Sequence, residues 1–164
     1  MSEAPISLAL ADEAGTLAAG AHLAKALARI PEGERIPLVV TLAGPLGSGK
    51  TTFVRGALRA LGITGAIRSP SYTLVEEYAA QGWELLHLDL YRLSGTDELG
   101  ELGLRERYRD ATVFFVEWPE RAPGGFAADL VLELAFAQAG HRLLAVGKTF
   151  QGQRLLAAFA AGAG

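Results

Sequence analysis

Gly44-Pro45-Leu46-Gly47-Ser48-Gly49-Lys50-Thr51 separates two stretches of opposite rhythm, and its reading decides the fold. Before it, residues 36–43 form a mostly apolar run that includes β-branched Ile36, Val39, Val40 and Thr41. Such a run suits a strand buried on both faces of a parallel sheet. After it, Phe53, Ala57, Leu58 and Leu61 recur at helical spacing, and Gly62 stands where a helix stops. The order is strand, glycine loop, helix.

The spacing within the loop, G-x-x-x-x-G-K-T, is that of a phosphate-cradling P-loop. Glycines let the backbone turn and approach phosphates with no Cβ in the way, and a helix starting at Lys50 aims its positive dipole end at them. Lys50 is suited to the β- and γ-oxygens, and the Thr51 hydroxyl to a magnesium ion. The expected nucleotide-contacting set is Gly44, Gly47, Ser48, Gly49, Lys50, Thr51 and Thr52, with ATP or ADP and Mg2+ as ligands. Adenine is favoured because an Asn-Lys-x-Asp guanine motif needs asparagine, and the sequence contains none.

Outward from the loop, residues 6–10 read as a short strand and Asp12 as the cap of a helix with Leu17, Ala21, Ala24, Leu27 and Ala28 on its apolar face. Pro31 and Gly33 end that helix. Residues 74–78 and 85–90 read as strands joined in a hairpin at Gln81-Gly82. Short helical pieces are expected at 96–99 and 104–108, a buried strand at 112–116, a second hairpin from 130–136 and 142–146, and a terminal helix at 153–159. The Ala/Gly-rich end, 159–164, reads as a fraying terminus. These elements predict an α/β chain: a three-layer P-loop NTPase fold with a mostly parallel central sheet and antiparallel added strands, in a single domain over 1–164.

Composition narrows the chemistry. Cysteine is absent, which excludes disulfides, thiolate metal sites and cysteine nucleophiles. A formal charge of −3 supplies no field that would draw nucleic acid to the whole surface. No uninterrupted apolar stretch is long enough to span a bilayer, and Met1-Ser2-Glu3-Ala4-Pro5 lacks the basic leader of a signal peptide. A soluble, cytoplasmic protein without membrane contact is expected.

Magnesium takes oxygen ligands and usually one or two from protein, so a carboxylate should lie beside Thr51. Two apolar runs end on one: Glu117 closes Val113-Phe114-Phe115-Val116, and Asp89 closes Leu85-Leu86-His87-Leu88. Both stand at the carboxyl ends of strands, where α/β sheets place their ligands. Glu117 is assigned to the metal and Asp89 to polarising the attacking water or to a supporting position, and the roles are exchangeable. Lys50, Asp89 and Glu117 form the candidate catalytic set. His87 reads as a packed sheet residue rather than a catalyst. The hydroxyl-rich Ser69-Pro70-Ser71-Tyr72-Thr73 reads either as a turn before a strand or as a switch in which Ser71 or Thr73 touches phosphate or metal, and Arg68 either as a solvated surface arginine or as a group that stabilises transferred charge.

Four motifs then fall in order: Gly-Pro-Leu-Gly-Ser-Gly-Lys-Thr-Thr-Phe from Gly44, Ser69-Pro70-Ser71-Tyr72-Thr73-Leu74, Asp89-Leu90-Tyr91-Arg92, and Val116-Glu117-Trp118-Pro119. From about Asp12 to Phe159 the chain resembles the TsaE family of bacterial tRNA threonylcarbamoyladenosine biosynthesis ATPases. The resemblance implies a weak magnesium-dependent ATPase acting with TsaB and TsaD, which install a threonylcarbamoyl group on the adenosine beside the tRNA anticodon. In that assembly its part is to allow repeated turnover, and tRNA is met through the assembly rather than by strong direct binding. The resemblance further implies a Walker B-like metal role for Glu117, roles in hydrolysis or partner coupling for Asp89 and Trp118, and a place near the nucleotide base for Thr16. Pro45 departs from the aspartate of many relatives and Ser71 from their threonine. Neither change removes a required group, since serine keeps the hydroxyl and proline forfeits one N–H. The other readings of the same residues are a small P-loop kinase acting on a metabolite and a non-hydrolysing, nucleotide-dependent binding module.

Overall fold

The computed structural model describes residues 4–163; Met1 to Glu3 and Gly164, the extremes of the expected domain, lie outside the described residues. Seven strands form one sheet: β1 (Ile6–Leu10), β2 (Leu38–Ala43), β3 (Val75–Ala80), β4 (Trp83–Asp89), β5 (Thr112–Glu117), β6 (Leu130–Phe136) and β7 (His141–Gly147). Their order across the sheet is β1-β7-β6-β2-β5-β4-β3. The middle of the sheet is parallel, with β2 between β5 and β6 and β4 beside β5. β1, β7 and β3 are added antiparallel. This is the mixed α/β sheet read from the sequence, mostly parallel in its middle.

β3 and β4 meet through the Gln81-Gly82 turn, with Ala80 opposite Trp83. Both turn residues have positive φ, 52° and 79°, the two-residue geometry that matches the twist of a hairpin. Ile36 is exposed and the strand after it begins only at Leu38, because Pro37 precedes the ladder and has no N–H to contribute.

Three helices cover one face: α1 (Glu13–Ala28), α2 (Lys50–Ala60) and α4 (Phe150–Gly162). Their core residues, among them Leu23, Leu27, Phe53, Val54, Leu58, Leu156 and Phe159, pack on Leu38, Val40, Leu42, Val113 and Phe115. The Asp12 carboxylate accepts the Gly15 N–H at 2.8 Å and starts α1, as expected from the sequence. The buried face of α1 differs from the expected one. It runs through Thr16, Ala19, Gly20, Leu23, Ala24, Ala26 and Leu27, whereas Leu17 and Ala21 are partly exposed and Ala28 is exposed. The reason is a glycine seam with α2: a Cβ on Gly20 would lie 2.0 Å from Phe53 O, and one on Gly56 2.2 Å from Leu17 O. The two helix backbones are in contact.

The other face is covered by α3 (Thr96–Gly100) and by turns, with Leu90, Leu93, Leu99 and Ala122 packed on Val39, Leu86, Leu88, Phe114 and Val116. The helical piece expected at 104–108 is a series of turns: Arg107 N–H donates to Leu104 O and Tyr108 N–H to Arg105 O, three residues apart rather than four. The end of the chain departs from expectation as well. Helix α4 continues to Gly162, starting where the Thr149 hydroxyl accepts the Gly152 N–H. Among the described residues no helix is long and apolar enough to cross a membrane.

Candidate functional site

The loop between β2 and α2 leaves the strand at Gly44 and enters the helix at Gly49, and both have positive φ, 150° and 102°. Gly47 between them has φ 79°. These angles suit glycine alone, and space demands it too: a Cβ on Gly44 would lie 2.3 Å from Leu134 O of β6. No side chain caps the first turn of α2, so its leading N–H groups face the loop without a side-chain acceptor. An anion is the natural complement of such a terminus.

Lys50 is almost fully buried. Its Nζ donates to Gly44 O at 2.6 Å and Pro45 O at 3.0 Å, and lies 4.0 Å from the centre of the Trp118 ring. Burial lowers its pKa below the usual lysine range, while Glu117, Glu120 and Asp89 pull the other way. The ammonium thus satisfies itself on weak neutral acceptors that phosphate oxygens would outcompete. Pro45 gives up an N–H but presents its carbonyl to the lysine.

The carboxyl ends of β4 and β5 lie side by side, with Asp89 paired in register with Glu117. Both side chains are buried and share a face with Leu85 and Phe115, the face α2 covers. The Thr51 hydroxyl donates to Glu117, 2.8 Å from Oε1 and 3.0 Å from Oε2. Asp89 is held differently: Ser69 donates to its Oδ2, Ser71 lies 3.4 Å from the same oxygen, and the Tyr91 N–H donates to Oδ1 at 3.0 Å. A cleft of about 280 Å³ joins Gly47, Gly49, Lys50, Thr51 and Thr52 with Ser69, Ser71, Asp89, Glu117 and Trp118. A larger cavity of about 480 Å³ lies elsewhere, around Leu99, Leu104 and Gly125, and contains none of the loop residues.

A hydroxyl and a carboxylate at the start of α2 are hard oxygen donors of the kind magnesium takes. Among the described residues no group of three or more His, Cys, Asp or Glu is placed to hold a metal. Thr51 and Glu117 supply two such donors, and an ion held by them would take its remaining oxygens from elsewhere.

Of the site residues read from the sequence, the structure gathers Gly44, Gly47, Ser48, Gly49, Lys50, Thr51, Thr52, Ser71, Asp89, Glu117 and Trp118. Thr16 lies beneath the loop: it is buried, its hydroxyl donates to Asp12 O at 3.3 Å, and its methyl is 3.3 Å from where a Gly49 Cβ would stand. Thr73 is not brought in. It is exposed and bonds to Glu76 at 3.4 Å, because Leu74 turns the chain away at φ 67°. Two residues outside the expected set belong to the site. Ser69 bonds Asp89, and His87, read as packing, bonds Glu117 through Nε2 while fully buried. The alternation of His87 with Asp89 on one strand face was the available signal for the second.

Comparison with known proteins fits this geometry. The family model described as Threonylcarbamoyl adenosine biosynthesis protein TsaE matches residues 10–146. The Haemophilus influenzae tRNA threonylcarbamoyladenosine biosynthesis protein TsaE is 34% identical over 149 residues, covering 90% of this chain and 93% of that protein. The Aquifex aeolicus protein of the same name is 37% identical, covering 68% of this chain and 76% of its own. A crystal structure of Bacillus subtilis YdiB superposes with a TM-score of 0.74 at 25% identity, over 98% of this chain and 97% of that one. On the matched span, the relatives and the P-loop with its two strand-end acids, the chain belongs to the TsaE family.

Proposed function

We propose that this chain is a magnesium-dependent ATPase with a P-loop NTPase fold that serves threonylcarbamoyladenosine biosynthesis on tRNA. Family membership supports the pathway, since the Haemophilus and Aquifex relatives carry that role in their names. The observation that carries the enzymatic reading is the Thr51 hydroxyl on the Glu117 carboxylate, at the uncapped start of α2 and beside the Lys50 ammonium. A bound magnesium ion would neutralise phosphate charge and orient the terminal phosphate. Thr51 and Glu117 would hold that ion, Lys50 would bind phosphate oxygens, and Asp89 would accept a hydrogen bond from the attacking water. Ser69, Ser71 and the Tyr91 N–H orient Asp89 for that task.

In this reading the threonylcarbamoyl transfer belongs to partners of the TsaB and TsaD type, and this chain supports repeated turnover. Action in the cytoplasm, where ATP and tRNA meet, follows from the same reading. The test is reconstitution with those partners, tRNA, threonine, bicarbonate and ATP, counting modified adenosines per assembly. Multiple turnovers that stop at one when the chain is omitted support the proposal. Unchanged turnover without it overturns the pathway role, and phosphate found on an added metabolite instead of free in solution overturns the ATPase reading.

A further inference from the structure

His87 sits in the middle of β4, two residues before Asp89 and on the same face of the sheet. Its side chain is fully buried. Nε2 is hydrogen-bonded to Glu117 Oε2, the carboxylate that also receives the Thr51 hydroxyl. The other ring nitrogen, Nδ1, is buried with no hydrogen-bond partner among the described residues. A histidine kept only to fill space would be replaced without loss by the leucine or phenylalanine that occupies Leu85 and Phe115 on the same face. Leaving one ring nitrogen unsatisfied is a cost that makes sense only if the other has a task. A carboxylate oxygen accepts, so the imidazole Nε2–H is the donor of this pair.

We infer that His87 is a positioning residue: its Nε2–H holds Oε2 of Glu117 so that the carboxylate meets the metal in one orientation together with Thr51. The inference rests on the reading of Glu117 as the magnesium carboxylate. Carboxylates that ligate metals are commonly held by such outer partners, whose loss weakens metal affinity by about 10- to 100-fold. The geometry here is selective. Glu117 receives its three hydrogen-bond contacts from two donors on different elements, Thr51 on α2 and His87 on β4, so its torsions are fixed from both sides. A carboxylate anchored by Thr51 alone would be held from one side only.

The test compares His87→Gln, whose amide nitrogen reaches the place of Nε2, with His87→Leu, which keeps bulk and loses the donor. Binding of ADP is measured by calorimetry with magnesium and with chelator. The quantity read is the ratio of the two affinities. The inference expects His87→Leu to lower that ratio by about tenfold or more, to leave chelated ADP binding within about twofold, and His87→Gln to restore most of the ratio. An unchanged ratio in His87→Leu overturns the inference, as does an equal loss of affinity with and without magnesium, or a His87→Gln variant no better than His87→Leu. If His87→Leu does not fold, His87→Asn takes its place, because its shorter amide stops near Nδ1 and leaves Oε2 without a donor. Failure of the native chain to show any magnesium-dependent gain instead overturns the metal reading of Glu117, which separates the two failures.

Discussion

The Thr51 hydroxyl and the Glu117 carboxylate, 66 positions apart in sequence, meet at 2.8 Å where the P-loop helix begins. The hydroxyl donates in this arrangement, which leaves its lone pairs free for a metal. Thr51→Val keeps the shape of the side chain and removes the oxygen. The expected result is a magnesium-dependent gain in nucleotide affinity reduced on the order of tenfold, which is about 1.4 kcal/mol. Calorimetry with and without chelator checks it. Stability should fall by only about 1 kcal/mol, the worth of one hydrogen bond.

Asp89 is buried in the wall of the cleft, with three donors around its carboxylate. Asp89→Asn should lower the rate of ATP hydrolysis by about 100-fold, the scale of a lost proton acceptor, with nucleotide affinity changed little. Phosphate release and ADP binding measured on one preparation separate these effects. Equal losses in both would reassign the residue to binding.

Lys50 makes a prediction about pH. Burial lowers its pKa, so the folded chain releases that proton at a lower pH than the unfolded chain. Between the lowered value and the ordinary lysine value of about 10.4 the unfolded state binds more protons, and stability rises with pH across that window. Below the window the buried ammonium is a cost that Lys50→Met removes. Urea unfolding should therefore find Lys50→Met more stable than the native chain near about pH 7, with the difference shrinking as pH approaches about 10.4. A difference that stays constant or widens would contradict the burial of the charge.

Trp118 reports on the same lysine. The two tryptophans differ: Trp83 is fully buried and its Nε1–H donates to Leu27 O at 3.2 Å, whereas Trp118 is partly exposed beneath the Lys50 ammonium. Phosphate bound at the loop would draw Lys50 from its carbonyl acceptors and change the charge over the Trp118 ring. Titration with ADP should shift or quench tryptophan emission, and Trp118→Phe should abolish the change while leaving Trp83 emission. A change that survives in Trp118→Phe would place its source elsewhere.

The strands, the glycine loop and both acids were legible because each rests on a local pattern: continuous apolar runs, positive-φ glycines, and an acid closing a strand. The face of α1 was not. In a helix this rich in alanine the large apolar residues mark no single stripe, and contact with α2 depends on what Gly20 lacks. Ser69 and His87 escaped for a different reason. Their function lies in a partner from another strand or loop, and hydroxyl or imidazole alone does not name that partner. Thr73 lies outside the cleft lining because one left-handed residue, Leu74, redirects the chain, and a leucine gives no sign of it.

A fifth prediction concerns Gly20. Its missing Cβ lets α1 touch the backbone of α2 at Phe53, three residues beyond Lys50. Gly20→Ala should destabilise the chain by about 3 kcal/mol, the upper range for overpacking, because both facing atoms are backbone and neither can rotate away. Urea unfolding of the variant checks it. Nucleotide affinity should fall as well, since relief requires α2 to move.

The pairing of Asp89 with Glu117 in adjacent strands also sets where this gene can change length. A strand alternates its faces with period two, so deleting one residue of β4 ahead of His87 turns His87 and Asp89 together onto the opposite face. One codon lost there would take Asp89 from the cleft wall and His87 from Glu117. Insertions among residues 123–128, beyond the sheet and outside the cleft, carry no such penalty. Length variation among natural and laboratory variants should therefore collect in that connection and avoid β4.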